Sequence, residues 1–117
     1  MFKRRFRLSR EEISEVSMRG VSYHTPYFSL KVLNSQKSLE NKAKFAFVIG
    51  KKEEKTAVLR NKAKRRLRSA MVGYFPNLKP SLFIIFIKKT AINADFKLIK
   101  QELGTLLQEK GFLIKSI

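Results

Sequence analysis

Three stretches of the chain carry apolar residues at strand spacing, and three more carry them at helical spacing. In residues 26–33, "PYFSLKVL", Phe28, Leu30 and Val32 fall on one side and Tyr27, Ser29 and Lys31 on the other. That alternation predicts a strand with one buried and one wetter face. Residues 44–50, "KFAFVIG", repeat it: Phe45, Phe47 and Ile49 oppose Ala46, Val48 and Gly50, and the smaller second face is left open to a ligand. Within "PSLFIIFIKK", the run Leu82–Ile87 is apolar at every position. It has the length of a buried strand and falls far short of the roughly 20 residues a membrane-spanning helix needs.

The helical stretches have recognisable ends. Ser9 with Glu12 is a capping-box pair, Glu11 and Glu12 suit the positive end of a helix, Ile13 and Val16 face a core, and Gly20 stops the turn. A second helix is predicted over residues 56–72, with Thr56 as N-cap and Gly73 and Pro76 beyond its end. The last runs through "AINADFKLIKQELGTLLQEKG". Asp95 lies early in it, Phe96, Ile99, Leu103, Leu106 and Leu107 share one side, and Gly111 caps it. The tail "FLIKSI" is apolar enough to dock on the body.

The first two strands, joined by the polar loop "NSQKSLENK", read as an antiparallel pair. The strand–helix–strand order that follows predicts a crossover joining parallel neighbours. The expected fold is α/β (α+β), a two-layer sandwich in which a mixed sheet of about four strands is packed by helices. Residues 1–117 form one domain, without repeats or low-complexity segments.

Charge changes this picture. The chain carries 26 Lys and Arg against 9 Asp and Glu, a formal net charge of +17. A folded domain this basic repels itself, and the usual compensation is a polyanionic partner. The absence of cysteine excludes a disulfide scaffold and a thiolate metal site. The N-terminus is basic with no apolar run behind it, so it does not read as a secretory signal. A cytoplasmic protein is expected.

The charge concentrates in "KTAVLRNKAKRRLRSA". On a helix, Leu59, Ala63, Leu67, Ala70 and Met71 form one stripe. Asn61, Lys64, Arg65 and Arg68 lie opposite, with Lys62 and Arg66 along one edge and Arg60 near the other. Like charges at this spacing destabilise an isolated helix by roughly 0.2–0.5 kcal/mol per pair, and only Glu53 and Glu54 stand nearby. A membrane-surface helix needs large apolar residues, whereas this stripe is mostly Ala with some Leu and Met. The best reading is a helix packed on a sheet by one face and presenting the other to nucleic acid. Arg offers bidentate geometry to phosphate. A solvated charge run and a general structured-RNA binder such as a ribosomal protein remain the alternatives.

No catalytic constellation stands out. His24 is the only histidine and reads as a loop residue, and Glu11, Glu12 and Glu15 are explained by a helix start. Neither a catalytic nor a metal-ligating residue is assigned to the chain.

Lys51 and Lys52 after a strand, then Ala57, Val58, Arg60, Asn61, Lys62, Lys64, Arg65 and Arg68, resemble the signature of the bacterial ribonuclease P protein family. That signature is an Arg-Asn-Arg motif embedded in a longer basic pattern. The resemblance runs from about Arg7 to about Leu107 and takes in Gly20 and "FSL". It implies that a partner RNA, the ribonuclease P RNA, is the catalyst. The RNA would remove the 5′ leader of precursor transfer RNA using Mg2+ held mainly by RNA, with no cofactor on the isolated chain. It also implies a left-handed crossover, against the usual hand. Carried over by residue, Lys51, Lys52, Arg60, Asn61, Lys62, Lys64, Arg65 and Arg68 become RNA contacts. Ile13, Tyr27, Ser29, Lys31 and Val48, with Lys52 beside them, become candidates for a cleft that holds the single-stranded leader, Tyr27 as a base stacker. No membrane partner is implied. Three departures stand out: Lys62 replaces the motif's second Arg, Ile13 and Ser17 stand where the family tends to carry aromatics, and the turn "KEEKT" looks a residue longer than usual.

Overall fold

The Ser9 hydroxyl accepts from the Glu12 backbone N–H at 3.2 Å, and the Glu12 carboxylate accepts from the Ser9 N–H at 2.8 Å. This reciprocal cap starts helix α1, Arg10–Arg19, and Gly20 ends it. The structure, a computed structural model, describes residues 6–34 and 43–114. Most of the predicted polar loop and the end of the apolar tail lie outside the described residues.

After α1 come strands β1 (Val21–His24), β2 (Phe28–Leu33) and β3 (Lys44–Val48), helix α2 (Ala57–Val72), strand β4 (Leu82–Ile87) and helix α3 (Phe96–Glu109). The four strands form one mixed sheet in the order β1-β2-β4-β3. β3 and β4 are parallel neighbours joined through α2, as the strand–helix–strand order predicts. The expected pairing of β2 with β3 does not occur. β4 lies between them, antiparallel to β2. β4 is the strand that is apolar throughout, and a strand buried on both faces belongs inside a sheet, whereas β2 and β3 each carry a wetter face. β1 is an addition: its side chains are mostly exposed, and what places it is its backbone pairing with β2.

The alternation along β4 splits the interior in two. Phe83, Ile85 and Ile87 join Phe28, Leu30, Val32 and Phe45 in the larger core, closed by Ala63, Leu67, Ala70 and Met71 of α2 and by Ile99, Leu103, Leu106 and Leu107 of α3. Leu82 and Ile84 point the other way, into a smaller cluster with Leu8 and Val16, against which Ile13, Leu33 and Ala46 pack. Thus α1 covers the face opposite α2 and α3. Burying each aliphatic side chain contributes about 1.5–3 kcal/mol, so the smaller cluster suffices to seat a helix of ten residues.

The chain ends of α3 follow their sequence signals. The Asp95 carboxylate accepts from the Lys97 N–H at 3.0 Å. Gly111 adopts φ +75°, the left-handed conformation that stops the helix. The tail docks as expected: Lys79 N–H donates to the Phe112 carbonyl at 2.9 Å, Ile114 N–H donates to the Asn77 carbonyl at 2.7 Å, and Leu113 is buried.

Gly104, in the middle of α3, has a packing reason. A Cβ there would stand 2.2 Å from the Tyr74 hydroxyl oxygen and 2.7 Å from its ring carbon Cζ. Tyr74 donates to the Lys100 carbonyl at 2.9 Å, and burial pushes its phenol pKa up. With open space, Gly→Ala inside a helix would stabilise by about 1 kcal/mol. The clash reverses the sign, because relieving it breaks the Tyr74 hydrogen bond. Gly104→Ala is expected to cost about 1–3 kcal/mol in urea denaturation. In a Tyr74→Ala background the same change should be neutral or stabilising. Stabilisation by Gly104→Ala alone would contradict the packing.

Candidate nucleic-acid interface

Helix α2 buries the predicted stripe. Ala63, Leu67, Ala70 and Met71 are fully enclosed, and Leu59 is half-buried. Thr56 is the N-cap, but its hydroxyl makes no capping bond and the first turn holds no acid. The positive end of the helix dipole is therefore uncompensated by any acid of its own turn.

The cations opposite the stripe differ in what they do. The Arg60 guanidinium donates to the carbonyls of Glu54 and Lys55 at 2.9 and 2.7 Å, tying the preceding turn to the helix. Arg66 donates to the Ala94 carbonyl and lies 6.0 Å from the centre of the Phe96 ring, bracing α2 against the start of α3. Arg68 leans over the Phe47 ring at 5.6 Å. There it lines, with Arg7, an open cavity of about 320 Å³ at the β3 edge. Asn61 and Arg65 are exposed, and Lys62 and Lys64 are half-buried. Among the described residues the ion pairs are Arg19–Glu15 and Lys44–Glu12, and neither involves α2. Lys51 and Lys52 are exposed on the turn after β3. The Glu53 carboxylate accepts from the Lys89 N–H at 3.3 Å, which seats that turn beside the end of β4.

Strand register defines the second part. On the α1 side of the sheet, the row Ser22, Lys31, Ile84, Ala46 lies next to the row His24, Ser29, Phe86, Val48. α1 packs on the first of these through Ile84 and Ala46. The second stays open: Phe86 and Val48 are each 38% exposed. The predicted open face is present here, with Ser29 and Val48 on its floor and Ile13 on the helix beside it. Lys31 is engaged, its amine donating to the Ser17 carbonyl in the last turn of α1. Tyr27 is not brought to this face. It lies in the bend before β2 and packs against the larger core.

The chain that carries these two surfaces matches a known family. A family model described as Ribonuclease P matches residues 2–111. The ribonuclease P protein component of Nitratiruptor is 34% identical over 100 residues, covering 86% of each chain. That of Bacillus velezensis is 32% identical over 115 residues, covering 97% of each. The chain belongs to the ribonuclease P protein family. The fold agrees. The ribonuclease P protein of Staphylococcus aureus superposes with a TM-score of 0.79 at 19% identity, over 92% of this chain and 97% of that one. The Thermotoga maritima protein gives 0.75 at 21% identity, over 88% and 96%.

Within this ribonuclease P fold, sequence reading missed two features. Phe86 sits inside a wholly apolar run, where no alternation reveals its exposed face; only pairing with Ser29 and Val48 does. His24, read as a loop residue, is the last residue of β1, and its Nδ1 lies 2.8 Å from the Ser29 hydroxyl. Among the described residues no group of three or more His, Cys, Asp or Glu is placed to hold a metal ion, and no helix is long and apolar enough to cross a membrane.

α1, the wall beside the open row, is held at both ends. Lys31 grips its last turn, and Lys44 pairs with Glu12 at 3.2 Å. Burial pushes the Glu12 carboxyl up, but the Ser9 N–H, the Lys44 amine and the Ser9 hydroxyl outweigh it and hold the group below its ordinary value. A carboxyl lowered in the folded state contributes stability above its unfolded value and loses it as pH falls through the folded one. Glu12→Gln should therefore lower Tm at neutral pH, with the gap to the parent shrinking as pH drops below about 4.3. A gap that persists unchanged at low pH would contradict this role.

Proposed function

We propose that the chain is the RNA-binding protein subunit of ribonuclease P, assisting removal of the 5′ leader from precursor transfer RNA in the cytoplasm. The observation that carries this reading is the division of labour on α2. One face is buried in the core, Arg60 and Arg66 brace the backbone, and the remaining cations have no carboxylate partner among the described residues. Family membership supports ribonuclease P RNA as the anion they meet.

In this reading Lys51, Lys52, Asn61, Lys62, Lys64, Arg65 and Arg68 contact RNA phosphates, and Arg60 shapes the turn that presents Lys51 and Lys52. Lys62 offers a point charge where a guanidinium would offer a fork. The open row, with Ser29 and Val48 on its floor and Ile13 at its wall, receives the single-stranded leader; Lys31 serves by holding that wall. The RNA subunit carries the chemistry. Mg2+, which the RNA would mainly hold, would supply charge neutralisation and activation of water there. Acids on α1 and on the turn after β3 have structural partners: Glu12 caps α1 and pairs with Lys44, Glu15 pairs with Arg19, and Glu53 accepts from the Lys89 N–H. A general structured-RNA binder would share the basic face but would not distinguish a leader-bearing transfer RNA from a mature one.

Arg65→Ala should weaken binding to ribonuclease P RNA and reduce the log–log salt slope by about one, the signature of one lost phosphate contact. Arg66→Ala should instead lower Tm and change the slope less. Equal slopes for Arg65→Ala and the parent would place the RNA on another face.

A further inference from the structure

Phe86 has no role in the core. On a central strand whose other large residues are enclosed, it is 38% exposed, and it faces the one row of the sheet that α1 leaves open. The neighbouring position on β2 is Ser29, so the strand pair tolerates a small polar residue here. A partly exposed aromatic ring on an open sheet face is a surface on which a nucleobase can stack. The wall above supplies none, since α1 contains no aromatic residue. Cations rim the row at its open end: Lys51 and Lys52 are exposed after β3, and Lys88 follows β4, its amine donating to the Thr25 carbonyl at 2.6 Å.

His24 lies in the same row, two strands from Phe86. Ser29 stands between them and meets the imidazole Nδ1 at 2.8 Å, which sets the ring's orientation. Nε2, on the far side of the ring, makes no hydrogen bond among the described residues. Two strand spacings amount to roughly 10 Å, about three times the 3.4 Å rise between stacked nucleotides. One base cannot touch both residues.

Resting on the reading of this face as the leader cleft, we propose that the leader crosses the strands along this row, one nucleotide stacking on Phe86 and another meeting His24 Nε2. Phe86 is a platform that any base can use, and His24, positioned by Ser29, is the polar contact that sets which nucleotide is preferred at the second place.

The test uses the holoenzyme assembled with a bacterial ribonuclease P RNA. Affinity is measured for precursor transfer RNAs with a graded series of leader lengths and for the mature transfer RNA, and the ratio of the two is read. Phe86→Leu, which keeps apolar bulk without a π-face, should reduce the leader-dependent ratio about tenfold, while Phe86→Tyr retains it. His24→Ala should also reduce it, but from a different leader length than Phe86→Leu. Val48→Glu, a carboxylate placed on the same row, reports on the face itself. Loss of the ratio in Val48→Glu but not in Phe86→Leu or His24→Ala would overturn this assignment and leave the cleft standing. No leader preference in the parent, or none lost in Val48→Glu, would remove the cleft reading and this proposal with it. Circular dichroism melts of each variant separate loss of fold from loss of contact.

Discussion

A strand that is apolar on both faces must be covered twice. β4 imposes that condition here: Phe83, Ile85 and Ile87 require one layer and Leu82 and Ile84 another. The first is met by α2 and α3, which fixes α2 on the sheet by its small stripe and turns its cations outward. The second is met by α1, which is too short to cover the whole face. What α1 leaves bare is one row across four strands, so both surfaces assigned to RNA follow from the burial needs of a single strand.

Charge is organised by the same packing. An isolated α2 would suffer repulsion along its basic face, and its first turn holds no acid; the Glu54 carboxylate, accepting from the Thr56 N–H at 3.3 Å, offsets only part of the dipole. The fold relieves part of this internally. Arg60 and Arg66 deliver their guanidinium groups to backbone carbonyls, and Arg68 lies over Phe47. The rest of the repulsion is relieved only by an external anion. In the proposed reading the stability of the free chain and its affinity for RNA are linked, because the same cations that cost free energy when unpartnered would supply the counterion-release term on binding.

Much of this was legible in the residues. The capping box of Ser9 and Glu12, the buried stripe of α2, the stop at Gly111 and the parallel β3–β4 crossover each depend on local spacing, which a chain displays directly. The neighbours of β2 and β3 depend on which strand is buried twice, a global condition, and the antiparallel pairing expected between them was wrong for that reason. β1 was invisible because pairing holds it and side-chain pattern does not. Tyr27 looked like part of an open strand face but falls before the strand begins, where the bend turns it to the core. Equal-looking arginines on α2 separated only when their partners on other elements were known. Phe86 could be recognised only through register with Ser29 and Val48.

The most direct test of this account is cleavage by a reconstituted enzyme. The chain is mixed with a bacterial ribonuclease P RNA and a 5′-extended precursor transfer RNA at low magnesium and moderate salt, beside controls lacking either component. The account predicts correct 5′ cleavage that needs both. Tight binding of the chain to the RNA with no stimulation of cleavage would contradict the subunit assignment, and cleavage by the chain alone would contradict the assignment of the chemistry to RNA.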